Sequence, residues 1–193
     1  MSFIRGSTHS SSRRPAPGKS DAINQIGPRT CENTTRPRRA TPPPADENGP
    51  GAVEAKAARC IDRALSGPLA SSRALYTSGL AAVNDYTQSS KGALFARLAA
   101  DVQDAILSDI ERNIATGFTP SSAAFFDVVR THTIEGTFSD PYYGGNANFV
   151  GWDLIGYPGV RTGVTEGQQR MGVKIAPNHR SAYDFSLFSK PAG

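Results

Sequence analysis

From Ala52 to Thr133 apolar residues recur every three to four positions, and beyond Gly136 that period is lost. The change confines the chain to helices packed on one another, followed by a segment that no helical stripe can hold in place. In Ala52 to Ser66 the stripe is Val53, Ala57, Cys60, Ile61, Ala64 and Leu65, and Gly67-Pro68 ends it. A second helix is expected from Ser71 to about Tyr86, with Leu75, Tyr76, Leu80 and Val83 at helical spacing, broken by Ser89-Ser90-Lys91-Gly92. The third carries Leu94, Phe95, Leu98, Val102, Ile106, Leu107 and Ile110, with Ala99-Ala100 as the place where it would divide in two. Thr119 reads as an N-cap with Pro120 at the first helical position, opening a fourth helix to about Thr133 that puts Phe125, Val129 and His132 on one face.

Past Gly136 the residues are Gly, Pro, Asn, Tyr and Trp, with Asp140-Pro141 and Gly144-Gly145-Asn146 as turn signals. Phe138, Tyr142, Tyr143, Phe149, Trp152 and Tyr157 are too many aromatics for a disordered linker, and they are expected to anchor the loops onto the helices. From Arg161 onward, Met171, Val173 and Ile175 alternate as either one short strand or an extended arm. The expected fold is mainly α: a small irregular helical domain, a long ordered loop region rich in Gly and aromatics, and an extended C-terminal arm.

The formal charge of +4 on 193 residues is unevenly placed, since residues 1–50 hold 8 Lys/Arg against 4 Asp/Glu and residues 51–193 hold 13 against 13. A neutral folded part gives no reason to propose nucleic acid or an anionic membrane as its partner. Eight of the 14 prolines also lie in the first fifty residues. Such a stretch cannot bury enough apolar surface to offset its ordering entropy, so residues 1–42 are read as a disordered Arg/Pro/Ser-rich tail and residues 43–193 as one domain. Cys31 and Cys60 are too few and too far apart for a metal knuckle, a redox pair or a haem-attachment site; Cys60 is expected to be a small buried apolar residue, with a bridge to Cys31 or to another chain as the alternative in an oxidising compartment. No window approaches the roughly 18 to 20 apolar residues of a membrane span. Neither Arg13-Arg14 nor Arg38-Arg39 is followed by the apolar run that an export signal requires.

The chain contains no GxGxxG, no P-loop, no HExxH and no CxxCH, so redox chemistry of its own is not expected. His132 and Glu135 would share a helix face, as a weak metal or proton pair or as end-of-helix structural residues. Glu135, Asp140 and Asp153 could be imagined as glycosidase carboxylates under a platform of tyrosines and Trp152, yet the same residues serve as turn caps and anchors. Gly144, Gly145, Gly151, Gly156 and Gly159, interleaved with aromatics, suit a protein interface or loops buried under themselves.

Three linked segments resemble one family. His132-Thr133-Ile134-Glu135-Gly136, Ser139 to Asn146 (SDPYYGGN) and Gly151 to Gly159 (GWDLIGYPG) are similar to the HTxEG, SDPxYGGN and GWxLIGxPG segments of gluconate 2-dehydrogenase subunit 3. Upstream, Pro44 to Ala52 (PADENGPGA), Ile61 to Pro68 (IDRALSGP) and Tyr76 to Leu80 (YTSGL) resemble further segments, and Arg180 to Phe185 fits a tail of some members, so the likeness spans about residues 43–190. The resemblance implies a small subunit of a periplasmic, membrane-associated dehydrogenase that is not an enzyme by itself. The large subunit would carry FAD and oxidise a sugar, sugar acid or polyol, and a multihaem cytochrome c, with haem c, would pass electrons on. The small subunit would act like a chaperone, supporting maturation and twin-arginine (Tat) export of the flavoprotein. It assigns this chain no catalytic, cofactor or metal residue. Partner-interface candidates are His132, Glu135, Asp140, Tyr142, Tyr143, Gly144, Gly145, Asn146, Trp152 and Tyr157. Family members commonly begin with a twin-arginine signal and an apolar helix, which residues 1–42 do not supply, so that stretch is read as a wrong start or a frame disruption. The alternative function is a stand-alone carbohydrate-binding or glycan-processing protein, and a third is a metalloenzyme built on His132 and Glu135.

Overall fold

The structure, a computed structural model, describes residues 49–188. The expected N-terminal tail, both arginine pairs, Cys31 and Pro44 to Asn48 lie outside the described residues. Five α-helices run α1 Ala57–Leu65, α2 Arg73–Lys91, α3 Ala100–Glu111, α4 Ser122–Phe138 and the short α5 Val150–Leu154, joined by 3-10 turns, and no strand element occurs among the described residues.

Helix α4 is the centre of the assembly and packs against α1, α2 and α3. The core is formed by Ile61 and Leu65 of α1, Tyr76 and Val83 of α2, Ile106, Leu107 and Ile110 of α3, and Phe125, Phe126 and Val129 of α4, with Phe95 from the α2–α3 connection. These are the apolar stripes legible in the sequence, each removed from water by the others, which is the main favourable term in folding. Phe125 fills a notch on α2 where a Cβ at Gly79 would lie 2.2 Å from its ring, and it meets Tyr76 edge-on with ring centroids 6.3 Å apart. Only glycine leaves room for that ring.

Five boundaries differ from the sequence expectations: α2 runs from Arg73 to Lys91, through Ser89-Ser90 and five residues past Tyr86, until left-handed Gly92 ends it, and four others differ for local reasons of their own. Helix α1 begins at Ala57 because Lys56 takes a left-handed φ of 55°, leaving 52–56 as turns that bury Ala52 and Ala55. The third segment divides at Leu98 and Ala99, both extended, one residue ahead of the expected joint. Ser121, not Thr119, caps α4: its hydroxyl accepts from the Ala124 N–H, and Thr119-Pro120 lies outside the helix. The helix then continues five residues past Thr133 to Phe138.

Residues 160–188 carry no α-helix, only 3-10 turns at Glu166–Gln169 and Ala182–Asp184. Met171, Val173 and Ile175 form no strand, since Val173 N–H bonds to Arg170 C=O in a turn and no neighbouring edge offers a ladder. The extended-arm alternative describes this region.

Candidate functional site

A helix end leaves its last carbonyls without intrahelical partners. At the end of α4 the following loop supplies them. Asn146 N–H donates to Gly136 C=O at 3.1 Å, Asn146 Nδ2 to Ser139 C=O at 2.9 Å, and Trp152 Nε1 to Phe138 C=O at 2.9 Å. Asn146 is completely buried, in a left-handed conformation (φ 43°) that asparagine adopts more easily than most residues. Its Oδ1 also accepts from Gly151 N–H at 2.8 Å, at the start of α5, so one amide links the end of α4 to the start of α5. Gly145 passes so close to α4 that a Cβ there would lie 1.9 Å from Gly136 O. Ala147 N–H donates to Ala55 C=O at 3.0 Å, tying the same loop to the turns before α1.

Asp140 anchors the arm. Its carboxylate accepts from Tyr142 N–H at 2.9 Å within its own turn, and from Ser181 Oγ at 2.6 Å and Ala182 N–H at 2.9 Å across the chain. Tyr183 then stacks on Tyr142 with centroids 3.6 Å apart, and its hydroxyl lies 2.9 Å from that of Tyr143. Asp153 holds the arm a second time, its Oδ1 2.7 Å from His179 Nε2. Phe149 stacks on the His179 ring, and Tyr157 packs edge-on against buried Trp152. Each of the two aspartates that could have formed a glycosidase pair is thus bonded to the arm.

His132 and Glu135 share α4, and among the described residues no hydrogen bond or ion pair joins them, although the Glu135 charge acts on His132. His132 Nδ1 lies 3.0 Å from Tyr76 Oη, its ring stacked on the tyrosine, whereas Glu135 is exposed. Burial lowers the His132 pKa, with the Glu135 charge opposing, and burial followed by the Glu135 charge raises the Tyr76 hydroxyl. No group of three or more potential metal ligands occurs among the described residues. Since folded His132 holds its proton less tightly than the unfolded residue, the unfolded chain binds more protons between the two pKa values, and stability falls as pH drops below about 6.5. Urea midpoints for the wild type and His132→Gln at about pH 7.5 and about pH 5.5 check this. The wild type is expected to lose more stability on acidification than the variant.

The segments quoted from the sequence therefore converge in space: Tyr76 meets His132, Arg63 Nη1 donates to Tyr142 C=O at 3.1 Å, and Cys60 Sγ lies 3.7 Å from Ser139 Oγ, half-buried rather than fully enclosed. A family model described as gluconate 2-dehydrogenase subunit 3 matches residues 41–159. The chain belongs to that family. No curated protein and no solved structure matches it significantly. As a gluconate 2-dehydrogenase subunit 3 member, the chain is related to a subunit of a dehydrogenase complex, and no helix among its described residues is long and apolar enough to cross a membrane.

Of the ten interface candidates, Asn146, Trp152, Gly145 and Asp140 hold the loop together, and Tyr142, Tyr143 and Tyr157 stay exposed. His132 contacts α2, Glu135 is at the surface, and Gly144 turns beside Arg63 with φ 98°. Arg63, Tyr183, Ser181 and His179 complete the site; the first three lie in segments quoted for the resemblance, but none of the four was named as an interface candidate. For the arm there was a local signal, the Ser181-x-x-Asp184 capping box, with Ser181 N–H donating to Asp184 Oδ2 at 2.7 Å.

Proposed function

We propose that the chain is a non-catalytic accessory subunit of a periplasmic FAD-dependent dehydrogenase of sugars, sugar acids or polyols. It binds the flavoprotein large subunit through the loop region 137–160 and supports its folding, maturation or export. The observation that carries this reading is how the family block uses its polar side chains. Asn146, Trp152 and Asp140 bond to the chain's own backbone and arm, leaving a fixed loop whose outward groups are tyrosines. Tyrosine concentrates at interface cores, because it offers a large contact area with little rotamer entropy to lose.

In this reading FAD belongs to the large subunit and haem c to a multihaem cytochrome subunit, and this chain contributes no step to the oxidation. Family membership supports the dehydrogenase assignment. Co-expression with an FAD-dependent large subunit from the same genome tests it. A stable pair, and a large subunit that fails to fold or mature alone, is the expected result; a large subunit equally folded and active without this chain would remove the proposal.

A further inference from the structure

The N-terminal turn of a helix favours acidic residues, because the backbone N–H groups there carry a net positive potential. Helix α1 has the opposite arrangement. Lys56 sits at its N-cap, Arg59 in its first turn, and no acidic residue occupies that turn. Arg59 and Arg63 are exposed and lie one helical turn apart, with Gly144 against both: a Cβ there would stand 3.0 Å from Arg63 Cδ and 3.6 Å from Arg59 Cγ. Among the described residues neither arginine has a carboxylate within ion-pair distance, although Asp62 is also exposed on α1. Among the described residues the Arg63 side chain bonds a neutral carbonyl, that of Tyr142, and no other group.

These cations border the tyrosines. Tyr142 and Tyr143 are about half exposed (51% and 50%) and meet edge-on, with Tyr183 stacked on the first and hydroxyl-to-hydroxyl with the second. The cluster is fixed from behind by Asp140, which holds both the Tyr142 turn and the segment leading to Tyr183. Arginine beside rigid tyrosine is the composition of an interface hot spot, and preorganised rings lose little entropy on binding.

We propose that Arg59, Arg63, Tyr142, Tyr143 and Tyr183 form one composite docking surface whose occupant is a carboxylate-bearing surface of the large subunit. This rests on the accessory-subunit reading and names the chemistry of its contact. An acidic protein surface fits better than a polyanion, since three of the five residues are tyrosines and residues 51–193 balance 13 basic against 13 acidic residues. The surface also reaches beyond the family-matched residues 41–159, because Tyr183 belongs to the arm.

The experiment measures binding of the co-expressed FAD-dependent large subunit to the full chain and its variants at low and high NaCl. Arg59→Glu suits the helix N-terminus and breaks no bond of the fold, so the variant folds. We expect at least tenfold weaker binding for Arg59→Glu and for Tyr143→Ala, and wild-type affinity that falls with salt. Lys91→Glu, about 22 Å along α2 from Tyr76 by helical rise, should bind as the wild type does. A pair that forms but is indifferent to Arg59→Glu and to salt overturns the composite surface while leaving the accessory-subunit reading intact. Absence of any pair with the wild-type chain overturns that reading and the surface with it.

Discussion

Replacing Asn146 with alanine is expected to lower the unfolding free energy by about 3–5 kcal/mol, a large part of the roughly 5–15 kcal/mol available to a domain. The side chain is wholly buried and makes two short bonds, donating to Ser139 C=O and accepting from Gly151 N–H. Alanine fills neither role. Each buried backbone group left unpaired costs about 1–3 kcal/mol, and alanine at a left-handed position adds about 1 kcal/mol. Asn146→Asp is expected to be no better than alanine: the carboxylate still accepts from Gly151 N–H, but it sets a charged oxygen against Ser139 C=O in a fully buried site. Urea unfolding of the three proteins, read by far-UV circular dichroism, gives the order directly.

Gly145→Ala should be at least as damaging, by about 3 kcal/mol or more, although it adds one methyl group to a position next to a well-bonded residue. The added carbon would stand 1.9 Å from Gly136 O and 3.0 Å from Cys60 Cβ, with a helix backbone on one side and a second helix on the other. The loop has to retreat from α4, and the bond from Asn146 N–H to Gly136 C=O stretches with it. Gly163→Ala is the matched control, because nothing lies within 4 Å of the position where its Cβ would be. The control should stay within about 0.5 kcal/mol of wild type. Thermal melting of both variants checks the contrast.

The helical half was legible because its information is local. Ile61 with Leu65, Tyr76 with Val83, and Phe125 with Val129 repeat at helical spacing and bury as that spacing implies. The end of α4 was placed at about Thr133, short of Phe138, because the apolar period fades there before it is lost beyond Gly136. In the fold the Thr133 and Thr137 hydroxyls donate to Val129 C=O and Thr133 C=O, both at 2.7 Å, and the helix runs on past Gly136 where that glycine meets Ala57. Its start was misplaced because Thr119-Pro120 and Ser121 both carry capping signals, and only side-chain geometry separates them. Among the loop aromatics expected as anchors, Trp152 is buried with its Nε1 bonded to Phe138 C=O, whereas Tyr142, Tyr143 and Tyr157 are exposed. The partners that make the site one structure, Asp140 with Ser181 and Ala182, Arg63 with Tyr142, and Tyr142 with Tyr183, are separated by about forty residues or more and leave no periodic trace in the sequence.

In the family block Asn146, Trp152 and Asp140 close the end of α4 and hold the arm, and Tyr142 and Tyr143 remain half exposed, where the proposed reading places the partner. Amide hydrogen exchange on the isolated chain and on its co-purified pair with the large subunit tests that division. In the isolated chain, the amides of Asn146 and Gly151 should already be protected, and pairing should add protection at Tyr142, Tyr143 and the neighbouring arm. Rapid exchange at Asn146 and Gly151 in the free chain, or protection on pairing that falls elsewhere and spares the tyrosines, would contradict the account.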